Sequence, residues 1–383
     1  MKQKQIALCL ALSLLLTGCS WPGGRYVSVK AHQTPHQNTQ KDGVSAGSYK
    51  ELVQTLEDMV RTGTENLVID VVDYPKGNVE SGMKMAVRNT MSSFPLGAYA
   101  VEDIAFELGT RGGLPALAVT ATYRHGYAQI QKIRQVKDMG KLENLVIQAL
   151  QTYDDNLVVQ VEEYREADFQ QMVRSFAQEN PATVMEVPVV TENVYGKGES
   201  RMVELTFSYQ NSRDSLRQMQ VQVEPVFDAA KLYVSGGGGQ RRKFSQLYSF
   251  LMERFDYTVE TSITPAYSLL QHGVGDSRAF ATVYATMCRE AGLECLVVTG
   301  TRAGEPWVWN IVLVDGNYQH VDLLRCNEIG RYRELSDRDM EGYVWDYSAY
   351  PECPLVRIQE VEPLTDEEQT PAPEETLSGQ TGE

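Results

Sequence analysis

The chain has 383 residues, 42% of them hydrophobic, and a formal net charge of −16. That length allows two or three domains of ordinary size with real cores. The acidic balance excludes nucleic acid as a partner of the chain as a whole. Much of the charge is local, since residues 352–383 hold nine acids and one arginine.

The first twenty residues, MKQKQIALCLALSLLLTGCS, combine a basic start (Lys2, Lys4) with an apolar run from Ile6 to Leu16. The run is too short to span a bilayer as a mature helix and has the shape of a secretory signal, residues 1–18. It ends in Leu16-Thr17-Gly18-Cys19, which resembles the bacterial lipobox. The resemblance implies lipid attachment at Cys19 and a mature protein anchored to the cell membrane, extracytoplasmic, by its acylated N-terminus. Residues 19–47, rich in Gly, Gln, Thr, His and Ser, are expected to form a flexible tether. His32 and His36 lie in this tether and are expected to be solvated.

Two stretches that follow resemble one another. TENLVIDVVDYP (64–75) matches DDNLVVQVEEYR, with Asn66 on Asn156. LAVTATYRHGYAQIQKIR (117–134) matches VELTFSYQNSRDSLRQMQ (203–220), with Tyr123 on Tyr209. Period-two alternation followed by helical spacing in both predicts two tandem α+β repeats, 46–135 and 136–225. Each is expected to run helix, strand, helix, strand, strand, helix. Neither carries a catalytic constellation. His125 stands alone, and GTRGG (109–113) is a turn without the strand-to-helix context of a phosphate loop.

From about residue 226 the pattern changes. A Gly-rich loop leads into an amphipathic helix with Phe244, Leu247, Tyr248, Leu251, Met252 and Phe255 on its apolar face. A strand (DYTVET) and a short helix (PAYSLLQHG) lead to HGVGDSRAFATVYATMCREAGLECLVVTG, a Gly-rich turn, a helix and a strand. WVWNIVLVDG and YQHVDLL follow as strands, with Asp315-Gly316 a hairpin turn between them. Residues 356–383, rich in Pro, Glu and Thr, are expected to be a disordered acidic tail. Six cysteines are present. Cys9 leaves with the signal and Cys19 takes lipid. Cys288, Cys295, Cys326 and Cys353 are expected as buried free thiols, although an extracytoplasmic protein also permits disulfides, whose pairing spacing cannot assign. No CxxC or Cys/His cluster is present, so no metal and no cofactor is expected.

The run GVGDSRAFATVYATMC, AGLECLVVTG, WNIVLVDGNYQHVD and the trailing MEGYVWDYSAYPEC resembles the transglutaminase-like core, a papain-like fold, over residues 226–355. The family's chemistry implies a Cys thiolate at a helix N-terminus, a His base and an Asp that orients it. Carried over by position, the Cys falls on Ser277, the His on Trp307 and the Asp on Asp322. Only the carboxylate is retained. A hydroxyl depends on a base more than a thiol does, and an indole has a donor and no acceptor. The resemblance therefore implies a catalytically inactive domain that serves binding or assembly at the cell envelope. Its partner would be an envelope glycan, peptide or protein, met by candidate ligand-binding residues Trp307, Trp309, Tyr318 and His320. The alternatives are a rewired serine hydrolase or acyltransferase acting on envelope peptides through Ser277, His320 and Asp322, and a structural spacer. For Ser277 itself the bland reading is a helix cap, a role that Asp276 or Ser277 can fill.

Overall fold

A computed structural model describes residues 44–234 and 238–355. The expected signal, Cys19 as the expected site of lipid, nearly all of the expected tether and the acidic C-terminal stretch lie outside the described residues. Helices and strands mix throughout, and no helix of the described residues is long and apolar enough to cross a membrane.

The first module runs β1 (Val44–Ser45), α1 (Tyr49–Arg61), β2 (Asn66–Asp70), α2 (Val79–Ser92), α3 (Pro95–Ala100), β3 (Val101–Arg111), β4 (Leu114–Tyr123) and the single turn α4 (Tyr127–Ile130). The second runs β5 (Arg134–Asp138), α5 (Met139–Thr152), β6 (Asn156–Glu163), α6 (Phe169–Glu179), β7 (Val189–Tyr195), β8 (Arg201–Ser208) and α7 (Arg213–Tyr233). Polar caps start the helices as the sequence dictates. Ser48, Asp138, Asp168 and Ser212 each accept a bond from a backbone N–H three residues on, satisfying one orphan donor of the first turn. Leu52, Leu56, Met59 and Val60 form the buried stripe of α1 at helical spacing.

The sheets are ordered β1-β2-β4-β3 and β5-β6-β8-β7. In each, the first pair is parallel and the other two antiparallel. The register agrees as well. Asn66 faces Thr120 where Asn156 faces Thr206, and Ile69 faces Leu117 where Val159 faces Val203. Two details depart from the expected order. Each sheet opens with a short parallel strand, and β5 begins at Arg134, across the expected boundary. The closing helices also differ, since α4 has 4 residues and α7 has 21. α7 carries one buried stripe, Leu216, Val223, Phe227 and Ala230, across Pro225. Its last turns therefore belong to the core of the third unit, where Phe227, Ala230 and Val234 pack with Phe244 and Leu251.

The third unit adds α8 (Gln240–Met252), β9 (Asp256–Tyr257), α9 (Pro265–His272), β10 (Val274–Gly275), α10 (Ser277–Glu290), β11 (Cys295–Arg302), β12 (Glu305–Val314), β13 (Asn317–Val321), α11 (Leu323–Glu328) and β14 (Tyr343–Trp345). Its main sheet is ordered β13-β12-β11-β14, all antiparallel. α10 is buried along most of its length, with Phe280, Val283, Tyr284 and Met287 in the core it shares with α7, α8 and α9. A second core around Trp309, Leu335, Tyr343 and Trp345 includes Val298 and Ile311 of the sheet. Asp315 and Gly316 take φ of 50° and 80°, the left-handed pair that a tight two-residue hairpin needs. The β11–β12 hairpin turns in the same way on Ala303 and Gly304, φ 52° and 87°. The four cysteines within the described residues are free thiols, and all but Cys295 are buried.

Candidate functional site

The site forms where α10 begins against β12. Asp276 caps the helix, its carboxylate accepting from the Ala279 N–H at 2.9 Å. This settles which of the two polar residues is the cap. Ser277 is instead the first helical residue and is buried at 8% exposure. Its Oγ accepts from the Val308 N–H at 3.3 Å. The hydroxyl is thus held by a strand backbone, and among the described residues no hydrogen bond links it to a base.

Trp307, one residue earlier on β12, donates its indole N–H to Asp322 Oδ2 at 2.8 Å. An imidazole N–H at this position would make the same bond, but an indole has no second nitrogen to take a proton from Ser277. The ring is half-buried. Tyr257 packs against it at 5.7 Å between centroids and the Arg302 guanidinium lies 5.2 Å over it.

Asp322 is 1% exposed and fully engaged. Oδ1 caps α11 by accepting from Leu324 and Arg325 N–H at 3.0 and 3.2 Å. Oδ2 accepts from Trp307 and from the Tyr343 hydroxyl at 2.6 Å. Arg302 stands 3.8 Å away and is paired with Glu328 at 2.7 Å. Burial and the Asp322 charge push the Tyr343 phenol well above its usual range, so it is a permanent donor here. The Glu328 carboxylate, opposed in part by desolvation, raises the Arg302 pKa.

His320 sits elsewhere. β13 ends at Val321, and the chain leaves the sheet before Asp322, so the alternation that would put His320 and Asp322 on one face does not apply. His320 is fully buried. Trp309 donates its indole N–H to His320 Nδ1 at 3.0 Å, and Nε2 lies 2.9 Å from Asp337 Oδ1. Because an indole only donates, Nδ1 carries the lone pair and Nε2 the proton. Burial, opposed in part by Asp337, holds the imidazole below the usual histidine range. A Ser277–His320–Asp322 triad is therefore not assembled.

His320, Asp337 and Cys353 place one ligand atom each within 4.8 Å of one another, a grouping that spacing in the sequence does not reveal. The tautomer argues against a metal there, because Nε2 directs its proton at Asp337 while Trp309 holds Nδ1. Burial, with the Asp337 charge adding to it, also pushes the Cys353 thiol up to about 12.

The expected ring of aromatics is dispersed. Trp309 is 1% exposed and belongs to the core. Tyr318 pairs with Leu313, at the opposite end of β12 from Trp307, and bonds Glu294 at 2.6 Å. Of the four candidate ligand-binding residues only Trp307 remains at the site, joined by Tyr257, Arg302 and Tyr343. The only sequence signal for these three is their presence in short strands, DY, the end of β11 and YVW.

Residues 229–355 match the family described as the transglutaminase-like superfamily, and the chain carries a transglutaminase-like domain there. Among solved structures, it is similar to a TGase at 9% identity, covering 58% of this chain and 66% of that one with a TM-score of 0.25. A candidate cysteine protease from Cytophaga hutchinsonii gives 14% identity, 41% and 70% coverage, and 0.25. The periplasmic domain of TgpA from Pseudomonas aeruginosa gives 15%, 35% and 58%, and 0.23. The chain thus spans less than two thirds of the first and third of these structures. No curated protein matches the chain.

Proposed function

We propose that the chain is a lipoprotein anchored through Cys19, extracytoplasmic, whose transglutaminase-like domain binds an envelope component and does not catalyse. The observation that carries this reading is the pair of bonds that replaces a working dyad. The Trp307 indole is spent on Asp322, and the Ser277 hydroxyl accepts from Val308. Removing a general base typically costs a factor of about 10²–10⁴, and here the more reactive thiol is missing as well. The half-buried Trp307 with the exposed Tyr257 beside it offers an aromatic face suited to a glycan or a peptide. The two preceding modules are read as copies of one unit that carry this domain away from the membrane. Their support is the common strand order and the common register at Asn66 and Asn156.

A hydrolase or acyltransferase built on Ser277 draws no base from His320, since both of its nitrogens are committed to Trp309 and Asp337. The test is retention of the protein on peptidoglycan and on envelope glycans, compared with Trp307→Ala. Retention that falls in the variant supports a ligand site at Trp307. Failure of the wild type to bind any envelope fraction removes the binding role and leaves a spacer.

A further inference from the structure

The sheet of the third unit has an open edge. β14 covers β11 only at Gly300, Thr301 and Arg302, which leaves Cys295 to Val298 without a strand neighbour on that side. The polarity of the edge follows from the bonds around it. Leu313 N–H donates to the Glu294 carbonyl, and Thr299 N–H donates outward to the Tyr350 hydroxyl at 3.4 Å. Even-numbered residues therefore bond β12, and odd-numbered ones turn their backbone groups to the edge. The N–H and C=O groups of Cys295 and Val297 have no hydrogen-bond partner among the described residues.

This edge is not bare surface. It forms one wall of a cavity of about 1030 Å³ between α6 of the second module and the third unit. Arg174, Arg278 and Arg289 line the cavity together with Glu179 and Glu294. Arg289 is bonded to the Glu179 carbonyl and to Thr286, and the Glu294 carboxylate accepts from Tyr318. Arg174 and Arg278 make no ion pair or side-chain hydrogen bond among the described residues. Three guanidinium groups against two carboxylates leave this lining net positive in a chain of net charge −16, with Arg174 and Arg278 unpaired.

We propose that this cavity receives an extended peptide segment of a partner protein, added as a strand to β11 at Cys295–Val298 and carrying acidic side chains toward Arg174 and Arg278. Strand addition takes its affinity from backbone bonds and its selectivity from the side chains that alternate along the guest. Exposed edges are otherwise blunted by charge, proline or a covering element, and here the covering strand stops short. Arg278 follows Ser277 on α10, but neither Ser277 nor Trp307 lines this cavity, and the proposal stands whether or not Ser277 reacts.

The test measures fluorescence anisotropy of short, terminally blocked peptides with the full chain in detergent. One peptide alternates valine and glutamate. A second replaces each glutamate by lysine. Two more carry N-methyl groups on alternate backbone nitrogens, one in each register. The proposal expects binding of the glutamate peptide, loss with N-methylation in one register only, and weakening by about tenfold or more in Arg174→Gln/Arg278→Gln. Val297→Pro deletes one edge donor at a position where edge strands tolerate proline and should abolish binding at an unchanged melting temperature. If that variant fails to fold, the N-methylated peptides decide. Equal binding of the lysine peptide, equal binding of both N-methylated peptides, or no binding at millimolar peptide overturns the proposal. So does a gain in affinity when residues 356–383 are removed, which would make the chain's own acidic C-terminus the occupant.

Discussion

Replacing Asp322 by alanine probes what the retained carboxylate does. The side chain is 1% exposed and accepts four hydrogen bonds, two from the first turn of α11 and one each from Trp307 and Tyr343. Loss of the helix cap costs about 1 kcal/mol. A buried donor left without its partner costs about 1–3 kcal/mol, and Trp307 N–H and Tyr343 O–H would be two such donors. Because all four bonds share one carboxylate they do not add independently. A total near 4 kcal/mol follows, in line with the ~3–5 kcal/mol seen when one member of a buried charged group is removed. Urea unfolding followed by tryptophan fluorescence reports on this domain, since Trp307, Trp309 and Trp345 are three of the four tryptophans in the chain. Trp307→Phe, which removes a single N–H, should cost less than half as much. A loss below about 1 kcal/mol for Asp322→Ala would refute the reasoning, because an aspartate kept only to orient a catalytic partner carries little of the fold.

Three further outcomes are expected. His320 is held neutral with a folded pKa below that of the unfolded chain, so its contribution is complete above about pH 6.5 and is lost as the pH falls below that value, where the unfolded state binds the proton first. Melting temperatures from pH 7.5 to 5.5 should drop for the wild type and stay flatter for His320→Gln; equal slopes would contradict the assignment of Nδ1 as acceptor from Trp309, with Asp337 and Cys353 as the other groups facing the ring. At Gly300 a Cβ would fall on the Val344 carbonyl oxygen and 2.9 Å from Trp309 Cη2, so Gly300→Ala should destabilise by about 1–3 kcal/mol or more in calorimetry, and a neutral result would mean that β14 does not pack on β11 as described. Metabolic labelling with a palmitate analogue should mark the wild type and not Cys19→Ser in the membrane fraction, and equal labelling would remove the proposed anchor.

Much of the third unit was legible because its signals are local. Asp315-Gly316 demands the left-handed pair it adopts, and the spacing of Ser277, Trp307 and Asp322 brings the three to one place. The register shared by the first two sheets is likewise traceable to Asn66 and Asn156. Other features depend on tertiary context and leave little trace in the chain. β1 has two residues and no period to detect. α7 continues through Pro225 because its apolar stripe is taken up by a neighbouring core. Strand spacing would put His320 and Asp322 on one face, but Asp322 leaves the strand to cap α11. Tyr257 on β9 and Tyr343 on β14 are far apart in the chain, and only the tertiary fold brings the one to Trp307 and the other to Asp322.

The central claim is that Ser277 is a held hydroxyl and not a nucleophile. Intact-protein mass spectrometry after exposure to a fluorophosphonate probe tests it most directly. The wild type should remain unmodified, like Ser277→Ala. Stoichiometric addition to the wild type that disappears in Ser277→Ala would contradict the account and return the site to the enzymes.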